Sequence, residues 1–180
     1  MHVRPLVVAD VDSYLRSTLA VDAGSGVDGS GHSHPYSDSE PLDLDTARDR
    51  ELTRWSTELD EPGWRRAWGL LDRDELVGYL YLAGGTLRSE LHRVSMGMGV
   101  ARSHRRQGGG ALLLETSTTW AQAHPTIDWI DLGVFSDNPG AQALYLRFGF
   151  QVLGRTPDRF RVDGHSLDDT WMTLRVAHDN

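Results

Sequence analysis

The chain has 180 residues, and its 39% hydrophobic and 24% charged content is typical of one soluble globular domain. It contains no cysteine, and all 18 of its basic residues are arginine. These absences exclude disulfides, thiolate nucleophiles, Schiff-base lysines and a P-loop lysine. The net charge of -8 argues against a protein that binds nucleic acid through a broad basic surface. Because there is no long apolar run and no signal-peptide core, we expect a cytoplasmic protein without a membrane partner.

The first third of the chain predicts a strand, two helices and a long loop between the helices. Residues 3–8 indicate a short strand, and apolar residues at helical spacing indicate a helix that follows, with Asp10 as its N-cap. Residues 23–41 are dominated by Gly, Ser, Asp and Pro and show no apolar periodicity, which predicts a flexible loop. Helical spacing returns over residues 43–58.

The middle of the chain predicts three strands. Residues 64–71 and 76–83 are separated by a polar turn and are expected to pair as a hairpin. Residues 91–100 form the third strand, whose methionines share one face by alternation. Gly97 and Gly99 occupy the other face. Glycine inside a strand marks a bulge or a close approach of a ligand to the backbone.

The second half alternates helices with strands, so we expect a mixed α/β fold around one central sheet, in one domain spanning residues 1–180. Asn138 precedes a proline at the first helical position and is the expected N-cap of the second of these helices. The predicted elements are a helix at 107–123, a strand at 127–135, a helix at 139–148 and strands at 150–161 and 167–176.

A basic and glycine-rich segment is the most informative part of the sequence. Residues 100–114 (VARSHRRQGGGALLL) combine the end of a strand, three arginines with one histidine, and three glycines before a helix. Glycine costs about 1 kcal/mol relative to alanine inside a helix, so these glycines do not serve helix stability. Free N–H groups at a helix start, with arginines nearby, bind phosphate or pyrophosphate. The alternative is a glycine-rich turn without a ligand, since neither the P-loop nor the GxGxxG pattern is present.

Two motifs resemble those of the GNAT N-acetyltransferase superfamily. Residues 105–110 (RRQGGG) resemble its R/Q-x-x-G-x-G/A pattern, and residues 138–150 (NPGAQALYLRFGF) resemble its N-x-x-A-x-x-L-Y-x-x-x-G-F segment. Their order and separation also agree with the family. The resemblance implies the acyl-CoA N-acyltransferase fold, a mixed sheet with a splayed pair of parallel strands flanked by about four helices. It also implies that acetyl-CoA binds where the strands ending near Val100 and Val134 separate.

The resemblance assigns a set of residues to the coenzyme. Backbone groups at the end of the 91–100 strand would bond the pantetheine arm, and the N–H groups of residues 107–111 would surround the pyrophosphate. Asn138 would cap its helix and also contact the coenzyme. The coenzyme-binding residues implied in this way are Met98, Gly99, Val100, Arg105, Arg106, Gln107, Gly108, Gly109, Gly110, Ala111, Asn138 and Ala141.

Acetyl transfer to an amine needs an unprotonated amine, a stabilised oxyanion and a proton for the leaving thiolate. Tyr145 occupies the family position of that proton donor, and without the motif it would be interpreted as a packed aromatic residue on an amphipathic helix. Many family members carry a carboxylate on the strand at 91–100, and this chain has none there. Glu90 and then His92 are the candidates for the general base. The alternatives are that these residues are only exposed surface groups, that a water chain carries the proton, or that the protein provides no base.

The loop at 23–41 supports two interpretations. Its histidines and carboxylates do not show the spacing of an ordered metal site, so we expect no metal. Its acidity favours a role in attracting a protonated amine into an acceptor pocket, and the alternative is a mobile loop in solvent. The side chains that a metal would need are His32, His34, Asp28, Asp38 and Glu40.

The sequence therefore predicts transfer of an acetyl group from acetyl-CoA to a primary amine by direct attack in a ternary complex, in agreement with the absence of a cysteine nucleophile. One alternative is a non-catalytic acyl-CoA sensor, which the missing strand carboxylate favours. The other is an interaction domain without coenzyme. The acceptor, a small molecule or a peptide N-terminus, is left open, and the acidity slightly favours a polycationic amine. A homodimer is compatible with the resemblance.

Overall fold

The computed structural model describes residues 1–23, 25, 32, 35 and 43–178. The helices are α1 (Val11–Asp22), α2 (Leu44–Ser56), α3 (Gly109–Gln122) and α4 (Pro139–Arg147). The strands are β1 (His2–Pro5), β2 (Arg65–Asp72), β3 (Glu75–Gly84), β4 (Arg93–Val100), β5 (Trp129–Phe135), β6 (Gln151–Val162) and β7 (His165–Arg175).

The described strands form one mixed sheet of seven strands in the order β1-β2-β3-β4-β5-β7-β6. Neighbouring strands pair antiparallel throughout this order except for β4 and β5, which are parallel. This arrangement confirms the predicted mixed α/β fold with its parallel pair and four helices.

The parallel pairing of β4 with β5 is short. It runs only from Arg93 opposite Trp129 to Ser95 opposite Asp131, although both strands continue for at least four more residues. Arg93 pins this end, since its guanidinium donates to both carboxylate oxygens of Asp131 at 2.6 and 2.8 Å. The hydroxyl of Thr173 on β7 donates to the same carboxylate at 2.6 Å. Beyond these pairs the two strands separate and leave a gap in the sheet.

The two faces of the sheet are covered by different helices. A Cβ atom built on Gly99 of β4 would lie 2.6 Å from Val21 of α1, whereas Met98 lies beside Gly110 of α3. Because side chains alternate along a strand, α1 lies on the Gly99 face and α3 on the Met98 face. The main core, on the α3 and α4 face, includes the fully buried side chains of Leu80, Leu82, Leu113, Leu114, Ile130 and Met172.

A buried ion pair joins α2 to the sheet on the α1 face. Glu51 is 1% exposed, and both of its carboxylate oxygens accept hydrogen bonds from Arg65 of β2, at 2.8 and 2.9 Å. The guanidinium of Arg65 also lies 4.0 Å from the ring centroid of Tyr81 on β3. A buried charge is tolerated when it is paired and hydrogen-bonded, so this pair ties α2, β2 and β3 together.

Several predicted boundaries shift because of local capping interactions. The first strand stops at Pro5 rather than at residue 8, and residues 8–10 form a 3-10 turn. Asp10 does not cap α1 with its side chain, because its carboxylate pairs with Arg4 and accepts the N–H of Val7. Helix α3 begins two residues later than predicted because Gly108 has a φ of 86°, a conformation suited to glycine.

No helix in the described ranges is long and apolar enough to cross a membrane.

A Glu51→Gln variant is expected to destabilise the fold by about 3–5 kcal/mol, because it leaves the Arg65 guanidinium buried without its anionic partner. The midpoint of chemical denaturation measures the loss. Glu61→Gln is the matched control, since Glu61 pairs with Arg88 on the surface, where their side chains are 49% and 67% exposed. Equal losses for the two variants would contradict a special role of the buried pair.

Candidate active site

A cavity of about 1090 Å³ occupies the gap where β4 and β5 separate. Its walls include consecutive residues of both strands, 96–100 of β4 and 133–135 of β5. Because consecutive residues of a strand face opposite sides of the sheet, the cavity passes through the sheet from one face to the other. This volume is slightly above the usual range for small-molecule sites.

The first turn of α3 forms one end of the cavity. Gly108, Gly110 and Ala111 line it, and the first N–H groups of a helix have no partners within the helix. Gly109 is buried, and a Cβ atom at this position would overlap the side chain of Leu70. Glycine is therefore needed at 108 for its backbone angle and at 109 for packing, which leaves the N–H groups of this turn facing the cavity. Such a turn favours an anion.

Positive side chains surround this end of the cavity. Arg105, Arg106 and Arg147 line it together with His104. The Nε atom of Arg105 donates to the carbonyl oxygen of Val100 at 3.0 Å, which orients the guanidinium beside the end of β4. Gln107 is exposed and absent from the lining residues, and its side chain donates to the carbonyl of Ser103. Of the residues predicted to bind a coenzyme, all except Gln107 and Gly109 line the cavity.

The two glycines of β4 serve the packing of aromatic and apolar side chains. A Cβ atom on Gly97 would overlap the ring of Tyr81, and one on Gly99 would lie 2.6 Å from Val21. Glycine at these two positions therefore makes room for two protein side chains. The close approach of a ligand to this backbone stays a prediction. Gly97, Gly99 and Tyr81 all line the cavity, so this packing shapes its wall.

Helix α4 contributes Asn138, Ala141 and Tyr145 to the cavity. The side-chain oxygen of Asn138 accepts the N–H of Ala141 at 3.1 Å, which confirms the predicted N-cap. Tyr145 is 7% exposed and packs against Phe150 with the ring centroids 5.6 Å apart. Within the described residues its hydroxyl has no hydrogen-bond partner. Burial raises the pKa of Tyr145 to about 12, so the phenol is neutral and carries its proton at neutral pH.

Glu90 and His92 lie elsewhere. Both are exposed, neither lines the cavity, and Glu90 closes a 3-10 turn that precedes β4. The carbonyl of His92 accepts the N–H groups of Asp128 and Trp129, at the end where β4 and β5 are still close. The structure therefore does not bring the two predicted base candidates together with Tyr145. The sequence of β4 does not reveal where its pairing with β5 stops.

The other end of the cavity contains residues that the sequence interpretation missed. Asp169 of β7 lies there, directly paired with Phe135 of β5. Alternation along β7 places Asp169 on the same face as Leu167 and Trp171, and a charged residue between apolar ones is a signal that could have been noticed. Gly133 lies against its carboxylate, and the cavity lining also includes Tyr81, Phe135, Phe160 and Trp171.

Two residues of the predicted loop line the cavity, His32 and Pro35, and the ring of His32 lies 6.2 Å from that of Phe135. The Nδ1 atom of His32 lies 2.8 Å from a carboxylate oxygen of Asp137. No group of three histidine or carboxylate side chains converges within the ranges that the structure covers. The other side chains considered for a metal, His34, Asp28, Asp38 and Glu40, lie outside the described residues.

The fold is shared with solved acetyltransferase structures. A GNAT superfamily phosphinothricin acetyltransferase from Sinorhizobium meliloti, solved in complex with acetyl-CoA, aligns over 97% of this chain and 88% of its own, with 18% identity and a TM-score of 0.80. An N-acetyltransferase from Staphylococcus aureus aligns over 97% and 98%, with 14% identity and a TM-score of 0.79. A ribosomal-protein-alanine N-acetyltransferase from Brucella melitensis aligns over 97% and 99%, with 18% identity and a TM-score of 0.77.

The sequence was also compared with curated proteins and with family models. No curated protein sequence matches it significantly. Residues 32–150 match the model of the acetyltransferase (GNAT) family, a range that contains α2, α3, α4 and the separating strands. Since this match covers more than half of the chain, the protein belongs to the GNAT acetyltransferase family.

Proposed function

We propose that the protein transfers an acetyl group from acetyl-CoA to a primary amine by direct attack in a ternary complex. The observation that carries the proposal is the cavity through the sheet, with an anion-binding helix start at one end and a buried carboxylate at the other. Family membership supports acyl transfer from acetyl-CoA. The geometry supports a path on which the coenzyme and the amine approach each other from opposite faces.

The coenzyme would occupy the α3 end of the cavity. Its pyrophosphate would accept hydrogen bonds from the first-turn N–H groups of α3, and Arg105 and Arg106 would add charge-assisted bonds. The pantetheine arm would run along the edge of β4 at Met98–Val100, which the separation from β5 leaves accessible. Asn138 and Ala141 would border the arm from α4. The reactive thioester would then lie in the gap, near the hydroxyl of Tyr145.

Tyr145 is the proposed proton donor. The amine nitrogen attacks the thioester carbonyl carbon, and a tetrahedral intermediate with a negative oxygen forms. When the carbon–sulfur bond breaks, the phenol of Tyr145 gives its proton to the departing thiolate. Burial raises the pKa of Tyr145 and keeps the phenol protonated until the thiolate develops. Neither Glu90 nor His92 is given a role in this step, because both lie outside the cavity.

A second candidate function is a non-catalytic acyl-CoA sensor. The absence of a carboxylate on β4 favours it, since a protein without a proton acceptor for the amine would bind the coenzyme and not turn it over. The two functions differ in one measurement, the release of free thiol from acetyl-CoA in the presence of an amine.

Incubation of the protein with acetyl-CoA and a panel of primary amines is expected to release coenzyme A thiol and to form one amide per thiol. Thiol titration measures the released coenzyme A, and mass spectrometry of the products measures the amide. Tight binding of acetyl-CoA without thiol release from any amine would favour the sensor instead. No binding of acetyl-CoA by calorimetry would contradict both functions.

Tyr145→Phe is expected to lower kcat by about 100-fold or more, because general-acid catalysis contributes about 100- to 10,000-fold. The dissociation constant of acetyl-CoA should stay within about twofold, since the ring is retained. Tyr79→Phe is the matched control: Tyr79 packs against Tyr14 with centroids 5.3 Å apart and does not line the cavity. A Tyr145→Phe enzyme with unchanged kcat would remove this assignment.

Arg105→Ala is expected to weaken acetyl-CoA binding by about 10-fold, because a hydrogen bond to a charged group contributes about 1.5–3 kcal/mol. Its effect on kcat at saturating coenzyme should be small. Isothermal calorimetry measures the binding, and Arg16→Ala on the exposed side of α1 serves as the control for the change in net charge. An equal loss in both variants would indicate a general electrostatic effect and not a contact with the pyrophosphate.

A further inference from the structure

One buried carboxylate has no place in the steps described so far. Asp169 is 5% exposed and lines the cavity. Within the described residues no N–H or O–H group donates a hydrogen bond to its side chain, although a buried carboxylate normally has such donors. The adjacent Asp168, by contrast, accepts from Arg155 at 2.7 Å and from the N–H of Asp158 at 2.8 Å. Among the residues that the structure describes, Asp169 is therefore a buried acceptor that lines the cavity and lacks a hydrogen-bond donor.

Asp169 and Tyr145 approach the gap from opposite faces of the sheet. Met172 and Leu132 are directly paired and belong to the core beneath α3 and α4, as does Tyr145. By alternation along β7, Asp169 lies on the other face, the one covered by α1. A thioester held in the gap would thus have a proton donor on one side and a carboxylate on the other. This is the arrangement that transfer between two substrates on opposite faces requires.

The position of the carboxylate depends on Gly133 of β5. A Cβ atom built on Gly133 would lie 2.8 and 3.0 Å from the two carboxylate oxygens of Asp169. Any other residue at 133 would therefore push the carboxylate away. Gly133 lies two residues beyond Asp131, the last residue of β5 that pairs with β4, on the stretch where the strands have separated. The glycine gives the carboxylate its position beside the gap.

The electrostatic surroundings favour binding of a cation by Asp169. Burial raises the pKa of its carboxyl group above the ordinary value, and the positive charge of Arg159 on β6 partly opposes this. The other ionisable groups that line the cavity outside its arginine-rich end are His32, Tyr81 on β3 and, across the gap, Tyr145 on α4. Burial removes water that would stabilise the charged carboxylate. A nearby ammonium group would restore that stabilisation.

Aromatic side chains form the wall around this carboxylate. Phe135 and Phe160 meet edge to face with centroids 5.6 Å apart, and Tyr81 and Trp171 complete the wall. Among the described lining residues Asp169 is the one carboxylate, and the arginines lie at the coenzyme end. Aromatic side chains accommodate an apolar substituent, and they provide no full counter-charge for a second ammonium group and no positive partner for a carboxylate.

We infer that Asp169 binds the ammonium group of the acceptor and takes its proton, and that the aromatic wall selects a primary monoamine with an apolar or aromatic substituent. This inference rests on the proposed acetyltransferase function and identifies the proton acceptor that β4 lacks. It differs from the acidity-based expectation of a polycationic acceptor, because that expectation followed net charge and not the composition of the cavity.

The proton balance of the reaction closes with these two residues. The ammonium group first gives one proton to the carboxylate of Asp169, and its free electron pair forms the bond to the thioester carbon. The carbon–sulfur bond then breaks, and the thiolate takes the proton of Tyr145. The nitrogen loses its second proton as the amide forms, which restores the phenol through solvent. The carboxyl proton of Asp169 leaves to solvent with the products, so that one proton is released for each amide.

The test compares Asp169→Asn with the wild type, using acetyl-CoA and 2-phenylethylamine. We expect kcat/KM for the amine to fall by about 100-fold or more at pH 7, and acetyl-CoA affinity to stay within about twofold. The deficit should shrink as the pH approaches the pKa of the amine, because the solution then supplies neutral amine. The surrounding ionisable groups titrate in both proteins, so their effect cancels in the ratio of the two kcat/KM values. A constant deficit at every pH would indicate a structural role and overturn the inference.

Two controls isolate the position of the carboxylate. Asp168→Asn makes the same substitution at the preceding residue, on the other face of β7. It should leave kcat/KM for the amine within about twofold of the wild-type value. Gly133→Ala is expected to displace the Asp169 carboxylate and raise KM for the amine about 10-fold with unchanged coenzyme binding, whereas Gly154→Ala, which meets no atom within 4 Å, should have no effect.

The acceptor class is tested by comparing 2-phenylethylamine and hexylamine with spermidine and glycine. A kcat/KM at least about 10-fold higher for the first two supports the inference, and a preference for spermidine or glycine overturns the substrate class. An active wild type with a fully active Asp169→Asn variant overturns the role of Asp169 and leaves the acetyltransferase function standing. A wild type that binds no acetyl-CoA and releases no thiol overturns the function itself.

Discussion

The early end of pairing between β4 and β5 is the constraint on which the rest of this structure depends. Three residue pairs hold the strands together, and an arginine, a carboxylate and a threonine from three strands fix that end. A continuous sheet would separate the helices on its two faces completely. Because the strands part, a cavity crosses the layer, and under the proposed function a molecule held beside α3 would react through it with one held on the face of α1.

The wall of that cavity is itself a product of packing. Tyr81 fits over Gly97 on the neighbouring strand, and its ring is covered on one side by the guanidinium of Arg65. Arg65 is in turn fixed by the buried carboxylate of Glu51 on α2. The chain of contacts runs from a helix through two strands to the cavity. Stability of the α1 face and the shape of the proposed acceptor end therefore depend on the same ion pair.

Local signals made much of this protein predictable. Three glycines after a basic segment indicated the helix start at α3, because the backbone angle at Gly108 and the close packing at Gly109 both require glycine. Asn138 before a proline indicated the start of α4 in the same way. Alternation and helical spacing placed most elements within a few residues, and the exceptions were ends where a side chain such as Asp10 found a different partner.

Asp169 is marked in the sequence by its apolar neighbours on β7, but its place in the cavity could not be predicted because that end is assembled from distant parts of the chain. Asp169 reaches the gap through the register of β7 with β5, and Gly133 makes room for it 36 positions earlier in the sequence. Glu90 and His92 looked suitable because they adjoin β4, yet they lie where β4 and β5 are still joined. Nothing in the composition of β4 marks the residue at which the strands part.

A cavity that opens on both faces of the sheet also bears on how the reactants would enter and leave. Under the proposed function, acetyl-CoA and the amine use different entrances, so neither has to wait for the other to depart. The amide can escape past the aromatic wall while the spent coenzyme is still bound beside α3. Free coenzyme A would then compete with acetyl-CoA alone, and the acetylated amine would compete with the acceptor alone. The short pairing of β4 with β5 would thus determine which product competes with which substrate in steady-state kinetics.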